Sequence, residues 1–451
     1  MVRQLFGTDG VRGRAGQFLT ADLALQLART VVACLDAPRP QVLIIRDTRE
    51  SSEMLESAMA AGVAAAGGDA WLAGVQPTPA APHLLLGHGL DLAAVITASH
   101  NPYEDNGIKL FASDGFKLDD DTEHAIEAEL ETSPPPPAHI GRVQRFDGAL
   151  EDYLGRLQER FRALDLNGTR VLLDCANGAT FQAAPEIFRR LGAAVEVIAN
   201  EPDGININRD CGSTHLGAVI KRVKGGSYDV AFAFDGDGDR VMAVDRTGAV
   251  ADGDDLMALA AVHLRSQGRL AGNGVAVTVM TNYGFHRAME AAGIEVATTA
   301  VGDRYVVEEL RQRGWVLGGE AAGHILDLGF STSGDGIASA LLTLEALGGR
   351  DLAHGRAMDK LPQRMVNLRA HDRSRLAAVM ADPGVEEATA RENAALEGRG
   401  RVLVRASGTE PLIRVMAEAP SEQETAEVCE RLRLAVETAL AKSGDSDPAK
   451  R

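Results

Sequence analysis

Three aspartates separated by single glycines follow an apolar run in the segment DVAFAFDGDGDR (229–240). The run predicts a buried strand, with the carboxylates of Asp235, Asp237 and Asp239 crowded at its end. Crowded carboxylates repel one another, so a cation is their simplest stabilising partner, and a set of oxygen ligands favours a hard ion such as Mg²⁺ over zinc. The segment therefore predicts a magnesium site.

Two other interpretations of this segment compete with a magnesium site: a calcium-binding loop and an acidic turn without a ligand. An EF-hand calcium loop would need glycine at its sixth position and glutamate at its twelfth, where this chain has Arg240 and Arg246. An acidic turn without a ligand stays open, although unpaired carboxylates at a strand end are costly.

A serine ends a second apolar run, DLAAVITAS (91–99). Ligands of α/β sheets bind beyond the carboxyl ends of the strands, which is where Ser99 would lie. The chain has no G-x-S-x-G motif, so the nucleophile elbow of α/β hydrolases is not indicated. A serine beside a metal site suits phosphoryl transfer, with Ser99 as the carrier, although taken alone Ser99 and Asn101 would form only a polar turn before Pro102.

Two further motifs carry polar groups. In GGEAAGH (318–324), Glu320 could bind sugar hydroxyls and His324 could transfer protons near neutral pH, a weak signal by itself. The segment RASGTEPLIR (405–414) is either a surface hairpin tip or a phosphate site, and its arginine forks and loop amides favour phosphate. Its candidate phosphate ligands are Arg405, Ser407, Gly408, Thr409 and Arg414.

The totals exclude several classes of protein. The 451 residues carry a net charge of −18, without the basic patch of a nucleic-acid-binding protein. No stretch is apolar for long enough to span a bilayer, and the N-terminus lacks the apolar core of a signal peptide. Four dispersed cysteines predict reduced thiols. We expect a soluble, cytoplasmic protein that binds neither nucleic acid nor membrane.

Alternating strand and helix patterns predict α/β domains, with parallel crossovers, up to about residue 364. We predict three α/β units, residues 1–148, 149–252 and 253–364. A smaller α+β domain over residues 365–442 and a flexible tail over 443–451 follow.

Three local features are predicted between these strands. The segment 51–68 reads as a helix capped by serine and stopped by glycine. Asn106-Gly107 predicts a turn before Lys109, and SPPPPA (133–138) predicts a stiff extended segment near the first domain boundary.

Taken together, these motifs resemble the α-D-phosphohexomutase superfamily of sugar phosphomutases. The resemblance runs from FGTDGVRG (6–13) to RASGTEPLIRVMAE (405–418). The segments ASHNPYEDNGIK (98–109), CANGAT (175–180) and VGDRYV (301–306) are similar to the bacterial phosphoglucosamine mutase branch.

The resemblance implies four domains around a central cleft, with one motif from each. It implies interconversion of glucosamine 6-phosphate and glucosamine 1-phosphate through a phosphoserine enzyme and a bisphosphate intermediate, on the route to UDP-N-acetylglucosamine and cell-wall precursors. A hexosamine bisphosphate would act as primer, and a homodimer is the expected assembly. The alternatives are a phosphoglucomutase/phosphomannomutase, a phosphatase and a non-catalytic sugar-phosphate sensor.

The resemblance also assigns roles to the residues. One Mg²⁺ would be held by the phosphate on Ser99 with the three aspartates. Arg12, Lys109 and His324 would act at the transferring phosphoryl group and the hydroxyl proton. Substrate binding would fall to His100, Arg240, Asp303, Arg304, Glu320 and the residues of the 405–414 loop, which would hold the non-transferring phosphate.

One position departs from the superfamily pattern. The sugar loop usually ends in Ser-Gly-His, whereas this chain has Ala322 where the serine stands. One hydroxyl contact to the sugar is lost, so sugar selectivity is expected to depend on this position.

Overall fold

The computed structural model describes residues 5–7, 9–130, 137–370, 372–407 and 410–442. Gly408, Thr409, the predicted tail and most of the proline-rich segment lie outside these ranges. The chain forms two compact units, Met1–Met280 with Ile294–Arg356 and Thr281–Gly293 with Ala357–Arg451. The four boundaries predicted from the sequence stay a prediction.

The first unit begins with a seven-stranded sheet in the order β1-β2-β6-β5-β3-β4-β7. β3, β4, β5 and β7 run parallel, whereas β1, β2 and β6 are joined antiparallel to their neighbours. Its strands are β1 (Phe6–Gly7), β2 (Gly10–Arg14), β3 (Gln41–Arg46), β4 (Asp69–Val75), β5 (Leu92–Ile96), β6 (Asp105–Ala112) and β7 (Val143–Arg145). Its helices are α1 (Ala21–Ala33), α2 (Glu50–Ala65), α3 (Ala80–His88) and α4 (Asp120–Leu130).

Two local predictions are wrong in this sheet. α2 begins at Glu50 without a serine cap, because the Ser52 hydroxyl lies inside the helix and donates to Asp47 at 2.8 Å. Asn106 and Gly107 do not form a turn but lie within β6, where β2 and β5 supply backbone partners. The buried Asn106 amide donates to two serine hydroxyls of α2, so its polar group is satisfied inside a strand.

A second sheet follows in the order β12-β11-β10-β8-β9, parallel from β10 to β9 and antiparallel at β11 and β12. Its strands are β8 (Arg170–Asp174), β9 (Ala194–Ile198), β10 (Val230–Phe234), β11 (Val241–Asp245) and β12 (Val250–Ala251). Its helices are α5 (Ala149–Arg160), α6 (Ala183–Arg190) and α7 (Gly217–Lys224). All five residues of β10 are buried, as expected for a strand covered on both faces.

The third sheet has the order β14-β13-β15-β16, with only β16 antiparallel. Its strands are β13 (Gly274–Thr278), β14 (Glu295–Thr299), β15 (Leu317–Gly319) and β16 (Ile325–Asp327). The helices of this region are α8 (Gly253–Ser266), α9 (Tyr283–Ala291), α10 (Asp303–Arg313) and α11 (Gly336–Leu347), of which α9 belongs to the second unit. A capping box between Asp252 and Asp255 starts α8.

The second unit is built on an antiparallel sheet in the order β17-β19-β18. Its elements besides α9 are β17 (Gln363–Arg369), α12 (Leu376–Met380), α13 (Pro383–Ala395), β18 (Arg401–Ala406), β19 (Leu412–Glu418) and α14 (Glu422–Lys442). Buried β19 residues Ile413 and Val415 pack in one core with Leu432 and Val436 of α14. No helix among the described residues is long and apolar enough to cross a bilayer.

Candidate active site

The loop after β5 and the loop after β10 meet at Ser99. The buried Ser99 hydroxyl donates a hydrogen bond to Asp235 Oδ2 at 2.5 Å. His100 Nδ1 lies 3.3 Å from the same hydroxyl. The structure thus brings together the serine and the aspartates that the sequence placed at the ends of two separate strands.

The three aspartates form a compact cluster of buried carboxylates. One oxygen from each of Asp235, Asp237 and Asp239 lies within 4.8 Å of the others. Asp235 Oδ1 accepts the backbone N–H groups of Gly238 and Arg240, both at 3.1 Å, so the glycine-rich loop folds around this carboxylate.

Two carboxylate oxygens of this cluster lack a hydrogen-bond donor among the described residues. Asp237 Oδ1 and Asp239 Oδ1 are buried and accept no hydrogen bond from any residue the structure describes. A buried acceptor without a donor is costly, and a hard cation would satisfy both oxygens. The donor set therefore fits Mg²⁺, with Asp235, Asp237 and Asp239 as the residues that would hold it.

The cluster also perturbs its own ionisation. Burial, Asp239 and Asp237 raise the pKa of Asp235 well above its ordinary value. Burial opposes ionisation of Asp239 too, but Lys109 and His324 outweigh it and hold its pKa well below the usual range. The carboxylates therefore repel one another, as inferred from the sequence, and a bound cation would relieve this repulsion.

Lys109 is the buried cation of the cluster. Its Nζ atom donates to Asp237 Oδ2 at 2.8 Å and to Asp239 Oδ2 at 3.2 Å, and it lies 3.2 Å from Asp9 Oδ2. Burial lowers the pKa of Lys109, but the three carboxylates prevail and raise it well above its ordinary value. Arg12 pairs with the same Asp9, so both predicted basic residues reach this cluster.

His324 and Arg240 are paired by a short antiparallel backbone bridge, and both side chains approach Asp239 of the cluster. His324 lies 3.6 Å from Asp239 and 3.6 Å from Asp303, and these two carboxylates raise its pKa against the effect of burial. Gly334 leaves room for the imidazole, since a Cβ there would lie 2.5 Å from His324 Nε2. The Arg240 side chain lies 3.7 Å from Asp239.

The two predicted sugar loops contact each other. Glu320 Oε1 accepts the backbone N–H of Gly302 at 3.1 Å, and Asp303 Oδ2 accepts a hydrogen bond from Lys117 at 2.5 Å. The Arg304 guanidinium instead pairs with Glu123 and Asp120 of α4. The structure therefore brings Glu320 and Asp303 to this loop pair and directs the Arg304 guanidinium towards α4.

The predicted phosphate loop lies in the second unit. Arg405 and Arg414 face each other across β18 and β19. Burial and the neighbouring Arg414 lower the pKa of Arg405, as expected for like charges held side by side. Ser407 Oγ accepts the backbone N–H of Glu410 at 3.3 Å. An anion would relieve the repulsion between the two arginines.

Sequence reasoning missed five residues of the first unit that organise the site. Asp9 holds Lys109 and Arg12, and Thr78 donates to Asp237 Oδ2 at 2.7 Å. The other three are Arg49, Lys117 and Asn208. Asp9 lies in the quoted FGTDGVRG motif and could have been found there, whereas the others have no local signal because their partners are distant in sequence.

Family models for phosphoglucomutase/phosphomannomutase match nearly the whole chain. They describe the α/β/α domain I (residues 3–135), domain II (151–248), domain III (252–365) and the C-terminal domain (365–435). These four matches confirm the predicted four-domain fold class.

A curated phosphoglucosamine mutase of Paenarthrobacter aurescens (strain TC1) is 46% identical to this chain, over 97% of the chain and 98% of that relative. The chain belongs to the phosphoglucosamine mutase family. As a phosphohexomutase it is an isomerase, which confirms the class of enzyme predicted from the sequence. The phosphoglucosamine mutase family is Mg²⁺-dependent and uses a phosphoserine, and the buried aspartate cluster could bind such a metal.

Two solved structures share the fold of this phosphoglucosamine mutase family member. A phosphoglucomutase/phosphomannomutase family protein from Burkholderia thailandensis superposes with a TM-score of 0.82 at 24% identity, covering 97% of this chain and 98% of that one. The N-acetylphosphoglucosamine mutase of Aspergillus fumigatus in complex with GlcNAc-6P and magnesium gives a TM-score of 0.67 at 19% identity, covering 97% and 96%. At these identities the likeness establishes the fold alone.

Proposed function

We propose that this chain interconverts glucosamine 6-phosphate and glucosamine 1-phosphate, with Ser99 as the carrier of the phosphoryl group. The observation that carries the proposal is the buried contact between the Ser99 hydroxyl and Asp235 within an oxygen-lined cation site. The amino sugar is supported by the curated relatives, which are phosphoglucosamine mutases at 44–47% identity over nearly the full length.

In the proposed reaction, the bond between phosphorus and Ser99 Oγ breaks while a bond forms to a hydroxyl oxygen of the sugar phosphate. The resulting bisphosphate turns over and returns its other phosphoryl group to Ser99. When bound, Mg²⁺ supplies charge stabilisation for the transferring oxygens. Lys109 has a raised pKa, so it stays a cation at neutral pH and stabilises the same charge.

The hydroxyl proton needs an acceptor that is unprotonated near pH 7. Burial, Arg240 and Arg12 lower the pKa of His100 to about 4, so its imidazole is uncharged at that pH. The raised pKa of His324 favours its charged form. These directions argue against His324 and Lys109 as the proton acceptor, whereas His100 is unprotonated but a weak base because its pKa is lowered.

Two sets of residues are proposed as ligands of the sugar phosphate. Glu320, Asp303 and Arg240 would hold the sugar hydroxyls and the phosphoryl oxygens. The non-transferring phosphate would be held by the second-unit loop that contains Arg405, Ser407, Gly408, Thr409 and Arg414. A hexosamine bisphosphate would prime the unphosphorylated enzyme by donating a phosphoryl group to Ser99.

The cellular setting is also a proposal. All four cysteines lie in the described ranges and none is in a disulfide, which suits a reducing cytoplasm. A homodimer is proposed as the assembly, and light scattering of the purified protein would test it.

A glucose or mannose phosphate is the second candidate substrate. The observation that favours it is Ala322, exposed in the sugar loop where the superfamily usually has serine. Without that hydroxyl, the loop has one contact fewer with which to select the sugar.

The test is ³¹P NMR of the purified protein with Mg²⁺, a bisphosphate primer and, in separate samples, glucosamine, glucose and mannose 6-phosphate. We expect glucosamine 1-phosphate to form fastest and Ser99→Ala to be inactive. Preference for glucose or mannose would support the second candidate. Free phosphate as the main product would indicate a phosphatase, and full cellular function of Ser99→Ala would indicate a sensor.

A further inference from the structure

Ser99 has a backbone conformation that a serine rarely adopts. Its φ is +52°, in the left-handed region that L-residues other than glycine seldom occupy. Further non-glycine residues with positive φ are concentrated in the stretch of the second sheet between residues 176 and 210. Such conformations persist where surrounding interactions hold them, and they concentrate at functional sites.

Two side chains bind the backbone of the serine loop (residues 97–102). Arg49 follows β3 of the first sheet, and Asn208 follows β9 of the second. The Ser99 carbonyl oxygen accepts hydrogen bonds from Arg49 Nη2 at 2.9 Å and from Asn208 Nδ2 at 2.8 Å. The Asn101 carbonyl oxygen accepts from the same two atoms at 3.0 and 3.1 Å. Arg49 Nη1 also donates to the carbonyl of Pro102 at 2.5 Å. Each of the two key carbonyls is therefore held by two donors.

The arginine is itself immobilised. Its side chain is completely buried, and Nε donates to Asp47 Oδ2 at 2.8 Å. Asp47 in turn accepts the hydroxyl groups of Ser52 and Thr97. Because a buried guanidinium is stable only when paired and hydrogen-bonded, this network restricts Arg49 to a single geometry.

The asparagine is equally constrained. Its backbone N–H donates to the carbonyl of Ala176, within the CANGAT segment (175–180), at 2.9 Å. Gly236, which lies between Asp235 and Asp237, packs against the Asn208 side chain. A Cβ on Gly236 would lie 2.6 Å from Ser99 O and 2.7 Å from Asn208 Nδ2. The side chain of Asn208 therefore fills the gap between the serine loop and the aspartate loop.

We propose that Arg49 and Asn208 are positioning residues that clamp the serine loop, holding Ser99 in its left-handed conformation with the hydroxyl directed at Asp235. The inference rests on the proposed role of Ser99 as phosphoryl carrier. Neither residue touches the reacting atoms. Release of the clamp would let φ of Ser99 relax towards the common right-handed or extended region, which would move Oγ away from the carboxylate cluster.

The decisive variant is Asn208→Gly, because glycine keeps the positive φ of +58° without strain while the side chain that carries the amide donor is removed. Arg49→Lys, which keeps the buried charge but loses the fork, is the second variant. The matched control is Asn206→Ala in the same loop, whose amide donates to Glu201 O and not to the serine loop.

We expect Asn208→Gly to lower kcat by about 10- to 100-fold, the cost of a small misplacement of a reacting atom. KM for glucosamine 6-phosphate should change by less than about 3-fold, since uniform substrate binding is untouched. Arg49→Lys should act in the same direction. Hydrogen exchange of the backbone amides of residues 97–101 should speed up in both variants and not in Asn206→Ala.

A kcat of Asn208→Gly within 2-fold of wild type, or a fall no larger than in the control, would overturn the clamp. A rise in KM alone would also overturn it. If the wild-type chain itself forms no sugar 1-phosphate, the proposed function fails and the catalytic role of the clamp fails with it. Unchanged exchange in residues 97–101 would then reject the ordering of the loop as well, independently of any activity.

Discussion

Asp237 has one carboxylate oxygen bound by the protein and one that no described residue donates to. Asp237→Asn keeps the shape but replaces one oxygen by an amide nitrogen that cannot ligate a cation. We expect Mg²⁺ affinity to fall at least about 10-fold, because even the loss of outer partners of a metal site costs that much. Titration calorimetry with Mg²⁺ would measure it.

The matched control for this prediction is Asp229→Asn. Asp229 is exposed and stands immediately before the same strand, β10, at the end opposite to the cluster. Its substitution should leave Mg²⁺ binding unchanged. Wild-type affinity in Asp237→Asn would remove Asp237 from the metal site.

Arg414 carries the corresponding prediction for the second unit. Its side chain lies beside Arg405 across the strand pair, and two adjacent guanidinium groups gain most from a bound phosphate. Arg414→Ala should weaken binding by about 1.5–3 kcal/mol, the worth of a charged hydrogen bond, and should do so mainly through KM for glucosamine 6-phosphate.

Steady-state kinetics would check this prediction, with Arg364→Ala as control because Arg364 is exposed on β17. Equal KM values in Arg414→Ala and the control would place the phosphate anchor elsewhere.

At the scale of elements, the start of α11 depends on a buried carboxylate. Asp335 caps the helix by accepting the N–H of Ala338 at 2.8 Å, and the hydroxyl of Tyr153 donates to both of its oxygens at 3.0 Å. The same turn contains Gly336, whose N–H donates to the carbonyl of Gly238 in the aspartate loop at 2.9 Å. The cap therefore helps to position the carboxylate cluster.

Burial raises the pKa of Asp335 from its ordinary 3.8 to about 6. The folded state therefore binds this proton more tightly than the unfolded state, so the contribution of Asp335 to stability is greatest below about pH 4 and falls as pH rises to about 6. Asp335→Asn removes this pH-dependent contribution to stability. The free energy of unfolding of the variant relative to wild type should rise by roughly 2 kcal/mol between pH 4 and pH 7.

Urea unfolding at several pH values would measure this difference, with Asp382→Asn as control. Asp382 caps α13 in the same way but is only half-buried. Parallel pH profiles for wild type and Asp335→Asn would show that folding does not raise the pKa of Asp335.

At the scale of the whole molecule, two segments far apart in sequence form the second unit. Glu418 is completely buried and joins them, since it accepts the N–H of Tyr283 at 2.8 Å and pairs with Arg401 at 2.9 Å. Arg401 also donates to the carbonyl of Thr281. The helix α9 is therefore part of this unit, although it lies between two strands of the third sheet in the chain.

Glu418→Ala should destabilise the second unit by about 3 kcal/mol or more, because it leaves the Arg401 guanidinium without its carboxylate partner. Hydrogen exchange should then speed up in residues 281–293 as well as in residues 357–442, and not in the first unit. The exposed Glu422→Ala is the control. Faster exchange in residues 357–442 alone would contradict the grouping of the two segments.

The sequence predicted most of the elements because their signals are local. Buried strands such as β5 and β10 appear as short apolar runs. The helices between them follow from the helical periodicity of their apolar residues and from the capping and glycine residues at their ends. The predicted turn at Asn106-Gly107 failed because β2 and β5 provide partners that no local pattern reveals. The predicted serine cap of α2 failed for a different, local reason, since the helix already begins at Glu50 and Ser52 bonds to Asp47 from inside it.

By itself, the sequence determined the chemistry of the site, because residue types at strand ends specify which groups surface together. Ser99, Asp235, Asp237 and Asp239 were found in this way. Only the tertiary structure decided which cations balance these carboxylates and what holds the serine loop. Lys109 donates to Asp237 across 128 residues of sequence, and Asn208 donates to Ser99 across 109. Hydrogen bonds over such separations exist only after the sheets have packed.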